Sequence, residues 1–374
     1  MPAVICGYFR SPFTPAKKGD LANTRPDDIA AEVVKGLIEK TGIDPNLIED
    51  LILGCAFPEA EQGFNLGRML SFLSELPPTV AGVTVNRFCG SSMQAIHDAA
   101  GRIAMGSGDA FIAGGVESMT RIPMSGFNPM PNPKLAAEMP EAYTNMGLTA
   151  ENLATIYEIE RETQEKFAVE SHLRAANADF TDVIIPITTA DGIVSTDGCI
   201  RPASNVSSLA RLSPVFKADG SVTAGTSSPL TDGAAFVLIC SEKFALEQGL
   251  KILASIESTA VSGCSPEIMG IGPVAASQKA LARAGVSLKD IDVIELNEAF
   301  SAQSLAVIEE LGLDTSKVNI DGGALALGHP LGASGARIVG RAATILTRNK
   351  ADIALATMCI GGGQGIATVL RRVE

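Results

Sequence analysis

The sequence predicts an α/β protein built as two similar halves, the first interrupted by a long insert. Three observations carry this. An order of helix, glycine stop, Asp-containing turn and β-rich run occurs twice; a helix opened by glycine and serine recurs at the same spacing; and the stretch between the repeats differs from both in composition. With 374 residues, 46 % hydrophobic and 19 % charged, the chain has the length for two or three packed units and too few charges for a disordered polymer.

Residues 30–52 (AAEVVKGLIEKTGIDPNLIEDLI) carry the apolar period of an amphipathic helix, stop it at Gly42, and pass through a turn into a β-rich run. Residues 275–296 (AASQKALARAGVSLKDIDVIEL) repeat that order, with Gly285 standing 243 residues after Gly42. Cys89-Gly90-Ser91-Ser92 opens another helix, whose Met93, Ile96, Ala100 and Ile103 share one face; Leu331-Gly332-Ala333-Ser334 opens its counterpart 242 residues on. Strand-like runs follow both, at 109–114 and 352–357. The offsets agree, which predicts two similar layered domains packed together.

We set the halves at 1–252 and 253–374, with the insert at about 118–230. There Pro, Met and polar residues become frequent (MSGFNPMPNPK, TTADGIVSTDGCIRPAS) around one long helix at 150–178. So long an excursion with its own helix reads as a loop or lid domain over a site.

A net charge of −13 and the lack of interleaved aromatics exclude a nucleic-acid surface. An anionic ligand has to find a local basic cluster or helix N-termini. Seven cysteines with no C-x-x-C pair give neither a disulfide framework nor a zinc site, so no metal is expected and a reducing, cytoplasmic setting is. The start MPAVIC lacks the basic region and apolar stretch of a signal peptide. The longest uncharged run, 353–370, is broken by GGGQG at 361–365 and reads as two strands around a turn, not a transmembrane segment.

Cys89 stands where Val83-Thr84-Val85 meets a helix. The positive end of a helix stabilises thiolate, which makes Cys89 a candidate nucleophile; a small core residue is the alternative. Of the three histidines, His97 lies eight residues along the same helix, roughly 12 Å away. His172 reads as a solvated histidine on the insert helix. His329, in Gly328-His329-Pro330-Leu331-Gly332, precedes the helix that repeats the Cys89 helix, and related ends of two similar halves can meet; it is the candidate base. Cys359 is a second sulfur, ahead of a glycine loop whose N–H groups can form an oxyanion hole; the rival reading is a dinucleotide loop, although no βα unit follows. Asn297 follows the strand at 292–296 and on its own reads as a helix cap.

Four segments together resemble the thiolase family over essentially the whole chain: VNRFCGSSMQA around Cys89, NEAF at 297–300, GGALALGHPLGASGAR around His329, and CIGGGQG from Cys359. The resemblance implies a fold of two duplicated βαβαβαββ halves in five αβαβα layers, with a loop domain inserted in the first. It implies an acetyl-CoA C-acyltransferase in which His329 takes the proton of Cys89, Cys89 becomes acylated, and Cys359 protonates the leaving enolate. His329, with a water held by Asn297, faces one oxyanion; the N–H groups of Cys89 and Gly361 face the other. Met146, Ser228, Met269, Ala299 and Phe300 correspond to pantetheine contacts and Arg201 to a contact with the nucleotide. Coenzyme A is then a cosubstrate, with no permanently bound cofactor.

EQGFN at 61–65, NRFCGSSMQAIHDA at 86–99 and NMGLTAENLA from Asn145 resemble the degradative 3-ketoacyl-CoA branch of fatty-acid β-oxidation. That branch implies a homodimer or homotetramer, with a hydratase/dehydrogenase subunit as a further partner. Three alternatives stand beside it. An acetoacetyl-CoA thiolase shares every catalytic residue. A decarboxylating condensing enzyme shares the fold but normally lacks a cysteine at the Cys359 position. A non-catalytic acyl-CoA-binding relative would leave Cys89 unacylated.

Overall fold

A computed structural model describes residues 2–373. The first half runs β1 (Ala3–Arg10), β2 (Thr14–Pro15), α1 (Pro26–Thr41), β3 (Asp50–Gly54), α2 (Leu66–Leu73), β4 (Ala81–Val85), α3 (Ser91–Ala104) and β5 (Ala110–Ser118). Next come α4 (Pro133–Glu138), α5 (Met146–Ile156), α6 (Arg161–Asn177), the hairpin β6 (Ile187–Thr189) and β7 (Gly192–Val194), and α7 (Val206–Leu209). The chain returns through β8 (Thr231–Ser241) and α8 (Glu242–Glu247). The remainder is β9 (Ala254–Gly263), α9 (Gly272–Ala284), β10 (Val293–Leu296), α10 (Ser301–Leu311), α11 (Ala324–Leu327), α12 (Leu331–Asn349), β11 (Ile353–Ile360) and β12 (Gln364–Arg371).

The repeated punctuation acts as read. α1 and α9 each have proline in the first turn and a basic residue in the last, and end at Gly42 (φ 70°) and Gly285 (φ 67°). A left-handed cap of this kind is open to glycine at little steric cost.

The strands lie in the order β10-β11-β12-β9-β1-β8-β5-β3-β4. β3 pairs in parallel with β4 and β5, and β10 with β11; β5–β8, β8–β1, β9–β12 and β11–β12 are antiparallel. Among the described residues the two halves pair edge to edge at Val4↔Ser255 and Ile5↔Ala254. In the first half Ile52 of β3 faces Val83 of β4. In the second, Ile294 faces Val318 through a single parallel bridge, so the counterpart of β4 has shrunk to one residue pair.

Side-chain alternation along the strands separates three apolar layers. Leu51 and Leu53 point outward to Val33, Leu37, Leu66 and Leu70 of α1 and α2. Ile294, Leu296 and Leu355 point outward to Leu281, Val307 and Leu311 of α9 and α10. Between the sheets, Ile52, Val237, Met358 and Ile366 enclose α3 and α12 through Met93, Ile96, Ile338 and Ile345. The result is the expected α-β-α-β-α stack. The two central helices touch at backbone level: a Cβ on Gly335 would clash with the Met93 nitrogen. Beside it the Ala336 N–H donates to Ser92 Oγ at 2.9 Å.

One expectation is corrected in the insert. The single helix at 150–178 is two, α5 and α6, parted at residues 157–160, where Glu158 takes φ 52°. The Ile159 N–H returns to the Ala154 carbonyl and the Ile159 side chain is buried, which closes α5 without a glycine or proline to mark the stop. The insert is pinned to β1 by the Arg10–Asp197 pair, bidentate at 2.7 Å and almost fully buried.

Candidate active site

The Cys89 elbow is built from side chains of its own loop. β4 ends at Val85, Phe88 takes φ 43°, and α3 begins at Ser91, so the chain turns sharply and Cys89 lies at the helix entrance. Asn86 Oδ1 accepts from the Phe88 N–H at 2.8 Å. Ser91 Oγ accepts from the Arg87 N–H at 2.9 Å and donates to the Phe88 carbonyl at 2.6 Å. Beneath it the buried Glu117 carboxylate accepts from the Ala56, Phe57 and Gly332 N–H groups and from Gln62 Nε2, tying the first half to the start of α12.

His329 lies at the corresponding entrance of α12. Ser334 Oγ donates to the Pro330 carbonyl at 2.9 Å and so accepts from His329 Nδ1, 2.6 Å away. That leaves Nε2 as the unprotonated nitrogen, with the Asn297 amide nitrogen 3.3 Å from it. The His329 N–H donates to Thr231 Oγ1. Asn297 caps nothing, since α10 begins only at Ser301 with Phe300 at its cap position. The helix-cap reading of Asn297 is thereby corrected. The neighbouring Glu298 is buried and accepts from Ser171, Asn319 and the Leu325 N–H, fastening the NEAF segment to the insert.

Cys89, His329 and Cys359 open onto one cavity of about 790 Å³. Its wall also includes Met146, Arg201, Ser228, Met269, Ala299 and Phe300, every one of the expected coenzyme-contact residues. Asn297 and Gly361 stand one step behind, the first against His329, the second beside Phe88. The Ser228 N–H donates to the Ala299 carbonyl, and Phe216 meets Phe300 edge-on at 5.8 Å, so the NEAF segment and the insert share one wall.

Burial pushes the Cys89 thiol up to about 11; the N–H groups of Gly361 and of Cys89 itself pull against it, and Glu117 adds to the rise. Desolvation outweighs these two donors, so the net shift of the resting thiol is upward. Burial, with the Arg337 charge, takes His329 down to about 3. Burial and the nearby Cys89 hold Cys359 far above the ordinary thiol range. The resting site is an uncharged set: two thiols and an imidazole with one bare nitrogen.

The expectation of a solvated His172 is also corrected. The side chain is buried, lines the cavity, and its Nδ1 accepts from the Arg201 N–H at 3.2 Å. Burial and the Arg201 charge draw it down to about 4. The signal is present in α6, where Ala168, Ser171, His172 and Ala175 form a small-residue face. Cys199, a third thiol on the cavity wall, carries no such signal. His97, by contrast, is half-buried, with Nε2 2.8 Å from Thr368 Oγ1, and lies outside the cavity wall.

The model of the N-terminal domain of thiolase matches residues 3–243, and that of the C-terminal domain matches residues 250–372. The chain belongs to the thiolase family. This thiolase is 49 % identical to the 3-ketoacyl-CoA thiolase of Pseudoalteromonas translucida (strain TAC 125) over 385 residues, which cover 99 % of each chain. It is 50 % identical to the 3-ketoacyl-CoA thiolase of Shewanella baltica (strain OS155 / ATCC BAA-1091) over the same span. Among solved structures it is similar to the acetyl-CoA acetyltransferase of Bacillus anthracis, with TM-score 0.92, 38 % identity and coverage of 100 % of this chain and 99 % of that one. It is also similar to human mitochondrial 3-ketoacyl-CoA thiolase in complex with CoA, with TM-score 0.91, 36 % identity and coverage of 100 % and 98 %. As a thiolase the protein is an acyltransferase enzyme.

Proposed function

We propose that this thiolase cleaves 3-ketoacyl-CoA with free coenzyme A to give acetyl-CoA and an acyl-CoA two carbons shorter. One observation carries the reading: Cys89, Cys359 and His329, the last with its proton fixed on Nδ1, share a single cavity with the expected coenzyme contacts. The name shared by relatives at 49 and 50 % identity points to the same substrate class.

His329 Nε2 takes the Cys89 proton as the thiolate bonds to the 3-keto carbon of bound substrate. The C2–C3 bond then breaks, its electron pair passing to C2 as the enolate of acetyl-CoA. Cys359 protonates C2. Its raised pKa suits this step, because the thiol keeps its proton at neutral pH until a stronger base appears beside it. The Cys359 thiolate left behind takes the coenzyme A proton, the coenzyme A thiolate attacks the acyl-Cys89 thioester to release the shortened acyl-CoA, and Cys89 leaves by recovering its proton from His329. The Gly361 and Cys89 N–H groups stabilise the tetrahedral oxyanion, and His329 with Asn297 the enolate oxygen.

Steady-state thiolysis of acetoacetyl-CoA and 3-ketodecanoyl-CoA, with mass spectrometry of the Cys89 peptide, tests this. The expected result is turnover of the longer substrate and an acyl mass on Cys89. Turnover of acetoacetyl-CoA alone selects the short-chain enzyme, and no acyl mass with either substrate selects the non-catalytic binder.

The edge strand β4 is half-exposed and flanked by exposed Met69, Phe72 and Leu73, which favours a homodimer formed along that edge. Exposed Phe127, Met130 and Met139 on the insert offer a surface for a hydratase/dehydrogenase subunit. The seven free thiols suit a reducing compartment such as the cytoplasm, and among the described residues no helix is long and apolar enough to cross a membrane.

A further inference from the structure

The Cys89 elbow and the glycine turn after Cys359 come from opposite halves of the chain, yet they meet closely. A Cβ on Gly361 would stand 3.6 Å from the Phe88 ring, and one on Gly90 would stand 2.5 Å from Ile360 Cδ1. Apolar contact brings these loops together without fixing their register. A polar link does that. Arg87 Nη1 donates to Gln364 Oε1 at 3.0 Å, and Gln364 Nε2 donates to the Gly361 carbonyl at 3.3 Å. Arg87 is itself oriented, its Nε donating to Gln94 Oε1 at 2.8 Å while Gln94 Nε2 donates to Asp98 at 2.7 Å.

The two ends of one side-chain amide thus hold the residue two before the nucleophile and the residue whose N–H serves it. Gln364 opens β12 and pairs with Ile360 across the turn, so its backbone is fixed by the sheet and its side chain spans a defined gap. Neither loop can shift relative to the other without breaking a hydrogen bond. A side chain lacking either the acceptor or the donor loses one half of the link.

We propose that Gln364, acting with Arg87, is a positioning residue that keeps the Gly361 N–H on the Cys89 sulfur and on the oxyanion formed there. The proposal rests on Cys89 being the acylated residue. Neither Gln364 nor Arg87 lines the cavity, so both act through the loop rather than on the substrate.

The test compares Gln364→Met and Arg87→Met with the parent enzyme, alone and combined. Both singles are expected to lower kcat about ten-fold, the effect of one lost hydrogen bond at a transition state, with KM for coenzyme A within two-fold. Iodoacetamide should alkylate Cys89 about ten-fold more slowly at any pH between 7 and 9, because the thiolate has lost a donor. The double variant should fall no further than the singles, since either change opens the same link.

Unchanged alkylation rates, or losses that multiply in the double variant, overturn the proposal. Should Arg87→Met fail to fold, the alkylation profiles of Gln364→Met and Gln364→Leu decide the same question: slower alkylation in both supports the link, and parent-like rates overturn it. Absence of an acyl mass on Cys89 in the parent enzyme instead overturns the underlying reading, and that measurement is made separately.

Discussion

His329 Nδ1 lies 2.6 Å from Ser334 Oγ, and that contact decides which imidazole nitrogen carries the proton. The serine hydroxyl has already given its own proton to the Pro330 carbonyl one turn back, so it can only accept. Ser334→Ala frees the ring to rotate and to populate the tautomer with Nε2 blocked. The expected outcome is a fall in kcat of about ten- to a hundred-fold with KM for acyl-CoA nearly unchanged, read by steady-state thiolysis. A loss confined to KM would show that Ser334 shapes binding and not the tautomer.

Asn297 differs in that its amide faces Nε2 itself, 3.3 Å away, while its own Oδ1 has no hydrogen-bond partner among the described residues. Its removal takes away one donor beside His329, at the oxyanion position proposed for this pair. Asn297→Ala is expected to lower kcat about 10²–10³-fold, with the Cys89 acylation and deacylation steps resolved by rapid quench. An effect below about five-fold on both steps excludes a role at either oxyanion.

The repeat is legible because its punctuation is chemical. Gly42 and Gly285 each end a helix in a backbone conformation that other residues resist, so the stop is written in residue type. The break between α5 and α6 is illegible because Glu158 adopts that conformation without being glycine, held by tertiary burial of Ile159. At the site, Cys89, His329 and Cys359 stand out through their settings at helix entrances and a glycine turn. His172 stands out less, because the α6 face that it shares with Ala168, Ser171 and Ala175 marks a buried side without saying whether that side meets a core or a cavity. The resting charge state is hidden for a related reason. A helix end is visible in sequence, whereas the burial that raises the Cys89 pKa arises only when two halves and an insert close around the thiol.

The Arg10–Asp197 pair joins stability to the cavity wall. Asp197 accepts from both guanidinium nitrogens and from the Phe13 N–H, and it stands two residues before Cys199 and four before Arg201, both on the cavity. Arg10→Met keeps most of the volume but leaves a buried carboxylate without its cation, which costs on the order of 3–5 kcal/mol. Urea unfolding should show that loss, and KM for coenzyme A should rise several-fold as the 197–201 segment loosens. An unfolding midpoint equal to that of the parent would mean the pair contributes nothing net.

His97 gives a pH dependence that is separable from catalysis. Burial, with the charges of Arg87 and Arg283, takes it from the ordinary value of 6.5 down to about 3, so the folded protein refuses a proton that the unfolded chain accepts. Above pH 6.5 neither state binds that proton and His97 has no effect on the pH slope. As pH falls through 6.5 the unfolded state gains protons and stability is lost, by about 1.4 kcal/mol per unit down to about 3. Buried Glu117 and Glu298, whose pKa values burial raises, act in the opposite sense, so the parent protein's total slope mixes both. His97→Gln isolates one contribution while leaving a donor for Thr368. It is expected to be less stable than the parent at pH 8 through imperfect packing. That deficit should shrink by about 2 kcal/mol between pH 6.5 and 5 in urea unfolding. Parallel pH profiles for the two proteins would mean that His97 is protonated in the fold.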